Sequence, residues 1–77
     1  PEQHVRLTAP VSLLGGTAAA RERLAALPGV AHVYVRGITA GRLTADLDFD
    51  GTAADLAAAL ERAGYTVRSL ASEAIAL

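Results

Sequence analysis

The chain contains no cysteine, methionine, tryptophan or lysine, and its aromatic residues are two tyrosines and one phenylalanine. Without cysteine it can form neither a disulfide bond nor a thiolate metal site, and cysteine usage says nothing about the redox compartment. Its net charge of −1 lacks the basic excess of a nucleic-acid-binding domain or a polybasic membrane anchor. No apolar run approaches the roughly 20 residues of a membrane span. We therefore expect no nucleic-acid partner and no membrane insertion by this segment.

The chain is nevertheless rich in hydrophobic residues, which make up 52% of its 77 residues. This content argues against disorder, and the length suits one small domain near the lower limit for independent folding. Because the sequence starts at Pro1 without methionine and stops on Ile75-Ala76-Leu77, we expect residues 1–77 to be a single domain excised from a larger protein.

A repeat organises the sequence. Residues 17–29 and 52–64 both open with Thr-Ala-Ala, continue through an Ala- and Leu-rich segment and end on glycine. Threonine is a favourable N-cap residue, and glycine is common where a helix ends. The repeat predicts two helices, capped by Thr17 and Thr52, with Asp55 completing an approximate capping box at the second.

Apolar residues at every second position predict the strands. The hydrophobic positions fall in four groups, which are Val5, Leu7, Ala9 and Val11; Val33 and Val35; Leu43, Ala45, Leu47 and Phe49; and Tyr65 and Val67. Ser69 continues the period of the last group. Residues 73–77 suggest a short fifth strand. A glycine-bounded turn at residues 37–41 predicts that the second and third strands form an antiparallel hairpin.

The order strand, helix, strand, strand, helix, strand is that of the ferredoxin-like βαββαβ fold. We expect an α+β sandwich whose antiparallel sheet has the order 4-1-3-2. Right-handed crossovers would place both helices on one face of the sheet. The opposite, open face would then carry a solvated row of aspartates on the third strand, flanked by basic groups on both neighbours. Its candidate contact residues are Arg6, His32, Tyr34, Arg36, Asp46 and Asp48.

Two sets of residues carry a family resemblance. They are Leu27-Pro28-Gly29-Val30 with Val33 and Val35, and Ala59-Leu60 with Ala63-Gly64-Tyr65-Thr66-Val67. Both resemble the heavy-metal-associated domains of copper chaperones and metal-transporting ATPases. The resemblance implies the ferredoxin-like fold. In that family a C-x-x-C motif follows the first strand, but here the stretch is Leu14-Gly15-Gly16-Thr17, or residues 13–16 in the neighbouring register. Neither leucine nor threonine replaces the thiolates that Cu(I) selects, so we expect no metal site and disfavour a residual metal carrier.

A second similarity lies in residues 21–30, in Asp48-Phe49-Asp50-Gly51 and in residues 56–60. In these segments the chain is similar to the C-terminal part of an uncharacterised bacterial envelope-protein family. The localisation of the chain stays open, with a bacterial envelope or periplasmic location and a cytoplasmic one both allowed. That family has no assigned chemistry, so the similarity suggests an envelope-associated parent protein without suggesting an activity.

The loop Gly15-Gly16-Thr17 precedes a predicted helix, where free N–H groups and the helix dipole attract anions. The lysine of a phosphate-binding P-loop is absent, and an ordinary turn followed by an N-cap explains the same residues. Neither the serines nor the histidines belong to a recognisable nucleophile, base and orienting group. We therefore expect no catalytic residues, no cofactor and no enzymatic activity.

These observations predict a non-catalytic interaction or assembly module. Its partner would be another protein or another domain of the parent chain, and a homo-oligomer is allowed. Contact would occur through the open face or through the edge of the second strand, which can recruit another strand. The alternative is a sensor of small, amino-acid-type ligands that uses Gly15, Gly16 and Thr17 as its ligand loop.

Overall fold

The computed structural model describes residues 2–77, which form two α-helices and a five-stranded mixed sheet. The strands are β1 (Glu2–Pro10), β2 (Val30–Thr39), β3 (Arg42–Asp50), β4 (Ser69–Leu70) and β5 (Ala74–Ala76). The helices are α1 (Thr17–Ala25) and α2 (Ala53–Arg62), and a 3-10 turn at Val11–Leu14 connects β1 to α1. The predicted α+β class is confirmed.

The strand order is β2-β3-β1-β5-β4, so the predicted antiparallel order 4-1-3-2 is wrong. As predicted, β3 pairs antiparallel with both β1 and β2. The predicted fifth strand is also present, but it lies between β1 and β4 and runs parallel to β1. In this arrangement Ile75 and Leu77 are buried in the core. The arrangement remains compatible with a ferredoxin-like fold.

The fourth strand is much shorter than predicted. Tyr65 and Val67 precede β4 in a connecting segment, where both are partly buried against the core. Only Ser69 and Leu70 pair with a neighbour, and that neighbour is β5. The alternation of apolar residues over 65–69 therefore arises because this connecting segment packs against the core, and it does not indicate a strand.

The core lies between the helices and one face of the sheet. Buried side chains from both helices and from three strands form one cluster, which includes Val5, Leu7, Leu24, Leu43, Leu47, Phe49, Leu56, Leu60 and Ile75. The helices therefore cover one face of the sheet, as predicted, and the other face is open.

The two helices begin differently despite the repeat. At α2, Thr52 Oγ1 accepts a hydrogen bond from the Asp55 amide at 3.2 Å, and Asp55 Oδ2 accepts one from the Thr52 amide at 3.1 Å. This capping box confirms the prediction. At α1 the prediction is wrong, because Gly16 is the N-cap and no side chain caps the helix. The 3-10 turn leads into the helix through Gly15 and Gly16, whose φ angles are 79° and 100°.

The β2–β3 connection is tighter than the predicted turn at residues 37–41. Only Ala40 and Gly41 lie outside the strands, with φ angles of 52° and 77°. Two consecutive residues with positive φ are typical of a type I′ hairpin turn. As a result β2 continues to Thr39 and has ten residues.

Candidate functional site

Three neighbouring strands build the open face. Because side chains alternate across a sheet, the residues facing away from the helices on β1, β3 and β2 form rows that run across the strands. In one row Arg6 and Tyr34 lie opposite Asp46, and in the next His4 and His32 lie opposite Asp48. The predicted contact residues are therefore brought together, with acidic groups on the central strand and basic or aromatic groups on both sides.

Asp46 pairs with an arginine from each neighbouring strand. Arg6 donates hydrogen bonds from Nε to Oδ1 at 2.9 Å and from Nη2 to Oδ2 at 3.3 Å. Arg36 Nε lies 3.6 Å from Oδ2. The hydrogen bonds from Arg6 hold the pKa of Asp46 below its ordinary value, with smaller contributions from the charges of Arg6 and Arg36, although burial acts in the opposite direction. Asp46 is therefore a carboxylate at neutral pH.

Asp48 lies between two histidines. His4 Nδ1 contacts Oδ1, and His32 Nδ1 lies 3.5 Å from Oδ2. The His32 ring also stacks on Tyr34, with ring centroids 5.9 Å apart. With these neighbours Asp48 is only 7% exposed, so the prediction of a solvated aspartate is wrong at this position.

His4 is the residue of this site that the sequence interpretation missed. It lies two positions before Arg6 in the same strand, and the period of two places both side chains on one face. That signal was present in the sequence. It was not sufficient, because only the register between β1 and β3 shows that His4 lies opposite Asp48.

No group of three or more histidine, cysteine, aspartate or glutamate side chains within residues 2–77 is placed to hold an ion. His4 and His32 approach Asp48 from opposite neighbouring strands, and each contacts a different carboxylate oxygen. The two histidines therefore flank the Asp48 carboxylate on either side.

The outer edge of β2 is the second feature of the site. This strand ends the sheet, so its backbone is paired on the β3 side only. Tyr34 is 50% exposed and Ile38 is 48% exposed. The opposite end of the sheet is the two-residue strand β4, which offers far less backbone. The long unpaired edge therefore lies directly beside the charged rows of the open face.

The predicted ligand loop lies apart from this surface, at the start of α1 on the helix side. The amide of Gly15 donates to the Ser12 carbonyl at 3.2 Å, and that of Gly16 donates to the Val11 carbonyl at 3.1 Å. These two N–H groups are therefore already used in ending the 3-10 turn. Thr17 is the first residue of α1, and the Arg23 guanidinium lies against Gly15.

Two pockets are formed by other residues. One of about 880 Å³ lies between the start of β1, the start of α2 and the β4–β5 turn, and His4, Thr52 and Glu73 line it. Another of about 520 Å³ lies beside the ends of the two helices, where Leu27, Arg62 and Tyr65 contribute to its wall. Neither pocket is lined by a residue that the sequence predicted to bind a ligand or partner.

Neither helix of the described chain has the length and hydropathy needed to cross a bilayer. A scan against protein-family models, a search of curated proteins and a search of solved structures each find no match to this chain.

Proposed function

We propose that this chain is a non-catalytic interaction module with a variant ferredoxin-like fold. Its partner is another protein or another domain of a longer, envelope-associated chain. The contact surface consists of the outer edge of β2 together with His32, Tyr34 and Arg36 on the adjoining open face. The partner adds a strand beside β2 and so extends the sheet.

The unpaired edge of β2 carries this proposal. Its ten residues exceed the usual strand length of about five or six, and its register with β3 shifts between Val30 and His32 and between Val35 and Gly37. An exposed edge offers N–H and C=O groups to another strand, and natural proteins often shorten, charge or cover such edges. Here Tyr34 and Ile38 are both exposed on β2, and tyrosine is enriched in protein interfaces.

A sensor of small ligands at Gly15, Gly16 and Thr17 is the competing hypothesis. An anionic ligand at a helix N-terminus normally binds free backbone N–H groups. Since the amides of Gly15 and Gly16 already donate to backbone carbonyls, such a ligand would have to bind the amides of Thr17 and the residues after it. This geometry supports the interaction module over the sensor.

The test is selection of binders from a random peptide library, followed by amide-resolved NMR of the labelled chain with each binder. We expect saturable shifts concentrated in Val30–Thr39. A double variant, Tyr34→Ser with Ile38→Ser, should bind more weakly. Leu13→Ser is the matched control, because Leu13 is similarly exposed at 44% but lies in the 3-10 turn.

The proposal is wrong if the selected peptides bind away from β2, or if selection yields no binder. Titration with a mixture of amino acids tests the sensor in the same spectra. Saturable shifts confined to Gly15, Gly16 and Thr17 would favour that hypothesis over ours.

A further inference from the structure

The charged and titratable side chains of β2 are all basic. The strand contains Arg36 and the titratable His32 but no aspartate or glutamate. His32 lies beside Tyr34 on the open face, opposite Asp48. Arg36 lies at a register irregularity between Val35 and Gly37, on the same face beside Asp46. A strand added at the outer edge would place every second side chain next to this row. The charge of those side chains is therefore constrained by Arg36 and His32.

Asp46 of β3 interacts more closely with the arginine of β1 than with the arginine of β2. Arg6 on β1 donates two hydrogen bonds to Asp46, whereas the nearest approach of Arg36 on β2 is 3.6 Å. The guanidinium of Arg36 takes part in none of the side-chain hydrogen bonds within residues 2–77. Its side chain is 62% exposed, so its guanidinium retains donors for a further acceptor.

The next row of the open face also has a basic group on β2. His4 Nδ1 on β1 contacts Asp48 Oδ1, and His32 Nδ1 on β2 lies 3.5 Å from Asp48 Oδ2 with its side chain 61% exposed. Asp48 Oδ1 has no hydrogen-bond partner within residues 2–77, so the asymmetry between β1 and β2 is confined to the Asp46 row. Arg36 and His32 are both exposed enough to contact a second carboxylate supplied from the outer side of β2.

The helix-side face of β2 is apolar. Val33, Val35 and Ile38 lie opposite the buried residues of β3. Val33 and Val35 are partly buried against the core, while Ile38 is about half exposed. A strand added at the edge would place its alternate side chains beside this row, where apolar residues would cover it.

We infer that the partner of β2 is an extended acidic segment in which aspartate or glutamate alternates with apolar residues. This inference rests on the proposed function, because it requires β2 to accept a strand. The chemistry of β3 supplies the template, since β3 already presents acidic residues to the open face of β2 and apolar residues to its helix side. The partner would repeat that pattern on the outer side.

A second copy of the chain fits this edge less well. Antiparallel pairing of β2 with another β2 would bring two strands together that both carry Arg36 and His32 and no acid. Like charges directly opposite one another on adjacent strands are destabilising. Charge complementarity therefore favours an acidic segment over self-association through β2.

The test uses three synthetic peptides and the labelled chain. The first has the sequence of β3, the second has its three aspartates replaced by asparagine, and the third has them replaced by lysine. We expect the acidic peptide to bind beside β2 and the asparagine peptide to bind roughly 1.4- to 5-fold more weakly, which corresponds to the loss of one cross-strand charge pair, with Arg36. The preference of β2 for the acidic peptide over the asparagine peptide should also decrease with added salt.

Variants of the chain locate the interaction. Arg36→Gln should reduce the preference for the acidic peptide over the asparagine peptide, and Arg36→Glu should reverse it. Arg21→Gln changes the net charge equally at an exposed position on α1, so it should leave the preference unchanged. A double-mutant cycle between Arg36→Gln and the peptide substitution measures the coupling directly.

The outcomes separate this inference from the proposed function. If the asparagine or lysine peptide binds at β2 as tightly as the acidic one, the acidic partner is wrong and strand addition stands. Shifts spread over β1 as well as β2 would indicate that the peptide replaces β3, which also overturns the inference. Absence of binding by all three peptides overturns the acidic partner, and the random-library selection then decides whether β2 accepts any strand. Concentration-dependent shifts of β2 without peptide would assign the edge to a second copy instead.

Discussion

The substitution Gly29→Ala tests how the end of β3 is packed. Gly29 has a φ angle of 90°, and a Cβ atom there would lie 2.8 Å from Phe49 Cε1. Phe49 is only 4% exposed, and the Gly51 backbone lies close to the other side of its ring, because a Cβ atom at Gly51 would lie 2.9 Å from Cε2. The ring is therefore held between two glycines, at the point where Gly29 accepts a hydrogen bond from the Asp50 amide.

The expected cost of Gly29→Ala has two parts. Placing an L-residue with a Cβ atom in a left-handed backbone conformation costs about 1 to 2 kcal/mol. Forcing extra volume into a packed core costs about 1 to 3 kcal/mol. Together the free energy of unfolding should fall by about 2 to 5 kcal/mol. A domain of this size has roughly 4 to 12 kcal/mol in total, so the variant should be close to unfolding.

Two other glycines give matched controls. Gly41 also has a positive φ, 77°, but a Cβ atom there meets no atom within 4 Å. Gly41→Ala should therefore cost only the conformational part, about 1 to 2 kcal/mol. Gly37 has open space and no positive φ, so Gly37→Ala should be neutral or stabilising by up to about 1 kcal/mol.

The assay is urea unfolding followed by far-UV circular dichroism, since the chain has no tryptophan to report by fluorescence. The difference between Gly29→Ala and Gly41→Ala isolates the contact with Phe49. Equal stabilities for these two variants would refute the packing argument. A Gly37→Ala variant that is as destabilised as Gly41→Ala would refute the cost assigned to a Cβ atom at positive φ.

Three further predictions concern the helix starts, the open face and the hairpin. Thr52→Ala should lower the free energy of unfolding by about 1 kcal/mol through loss of the helix cap. Thr17→Ala should change it little, because Thr17 makes no capping hydrogen bond. Equal effects of the two substitutions in urea unfolding would contradict the difference between the helix starts. Because the pKa of Asp46 is lowered from 3.8 in the folded state, its contribution to stability is present above pH 3.8 and is lost as the pH falls through the folded-state pKa. Unfolding measured from pH 2 to 7 should show Asp46→Asn less stable than wild type at neutral pH, with a smaller gap in acid, and a gap that widens in acid would reverse the assigned sign. Ala40→Asn should stabilise the hairpin by up to about 1 kcal/mol, because asparagine tolerates the positive φ of a type I′ turn. An Ala40→Asn variant whose thermal midpoint is unchanged or lower would exclude this turn effect.

The sequence predicted the elements that have strong local signals. The capping box at Thr52 and the alternation in β3 identified the second helix and the central strand, because both patterns act over a few residues. The same local logic failed at Thr17, whose sequence matches Thr52 but whose backbone enters the helix from a 3-10 turn. It also failed at Tyr65 and Val67, which are apolar and partly buried without forming a strand.

The candidate site was predictable as a surface but not as a set of contacts. Alternation placed Arg6, Tyr34 and Asp46 on the open face, and the predicted hairpin placed β2 beside β3. Which basic group makes the closer contact with each aspartate could not be predicted. That outcome depends on register and on side-chain distances that no local pattern encodes.

By itself, then, the sequence determined the order of most helices and strands and the faces that their side chains occupy, because periods of two and 3.6 residues are local properties of the backbone. Only the tertiary structure decided that β5 enters the sheet between β1 and β4, since the gain comes from burying Ile75 and Leu77 against distant residues. Tertiary structure alone also decided the burial of Asp48 between His4 and His32. Both outcomes arise from contacts between residues far apart in the chain, whose partners are selected by packing of the whole domain.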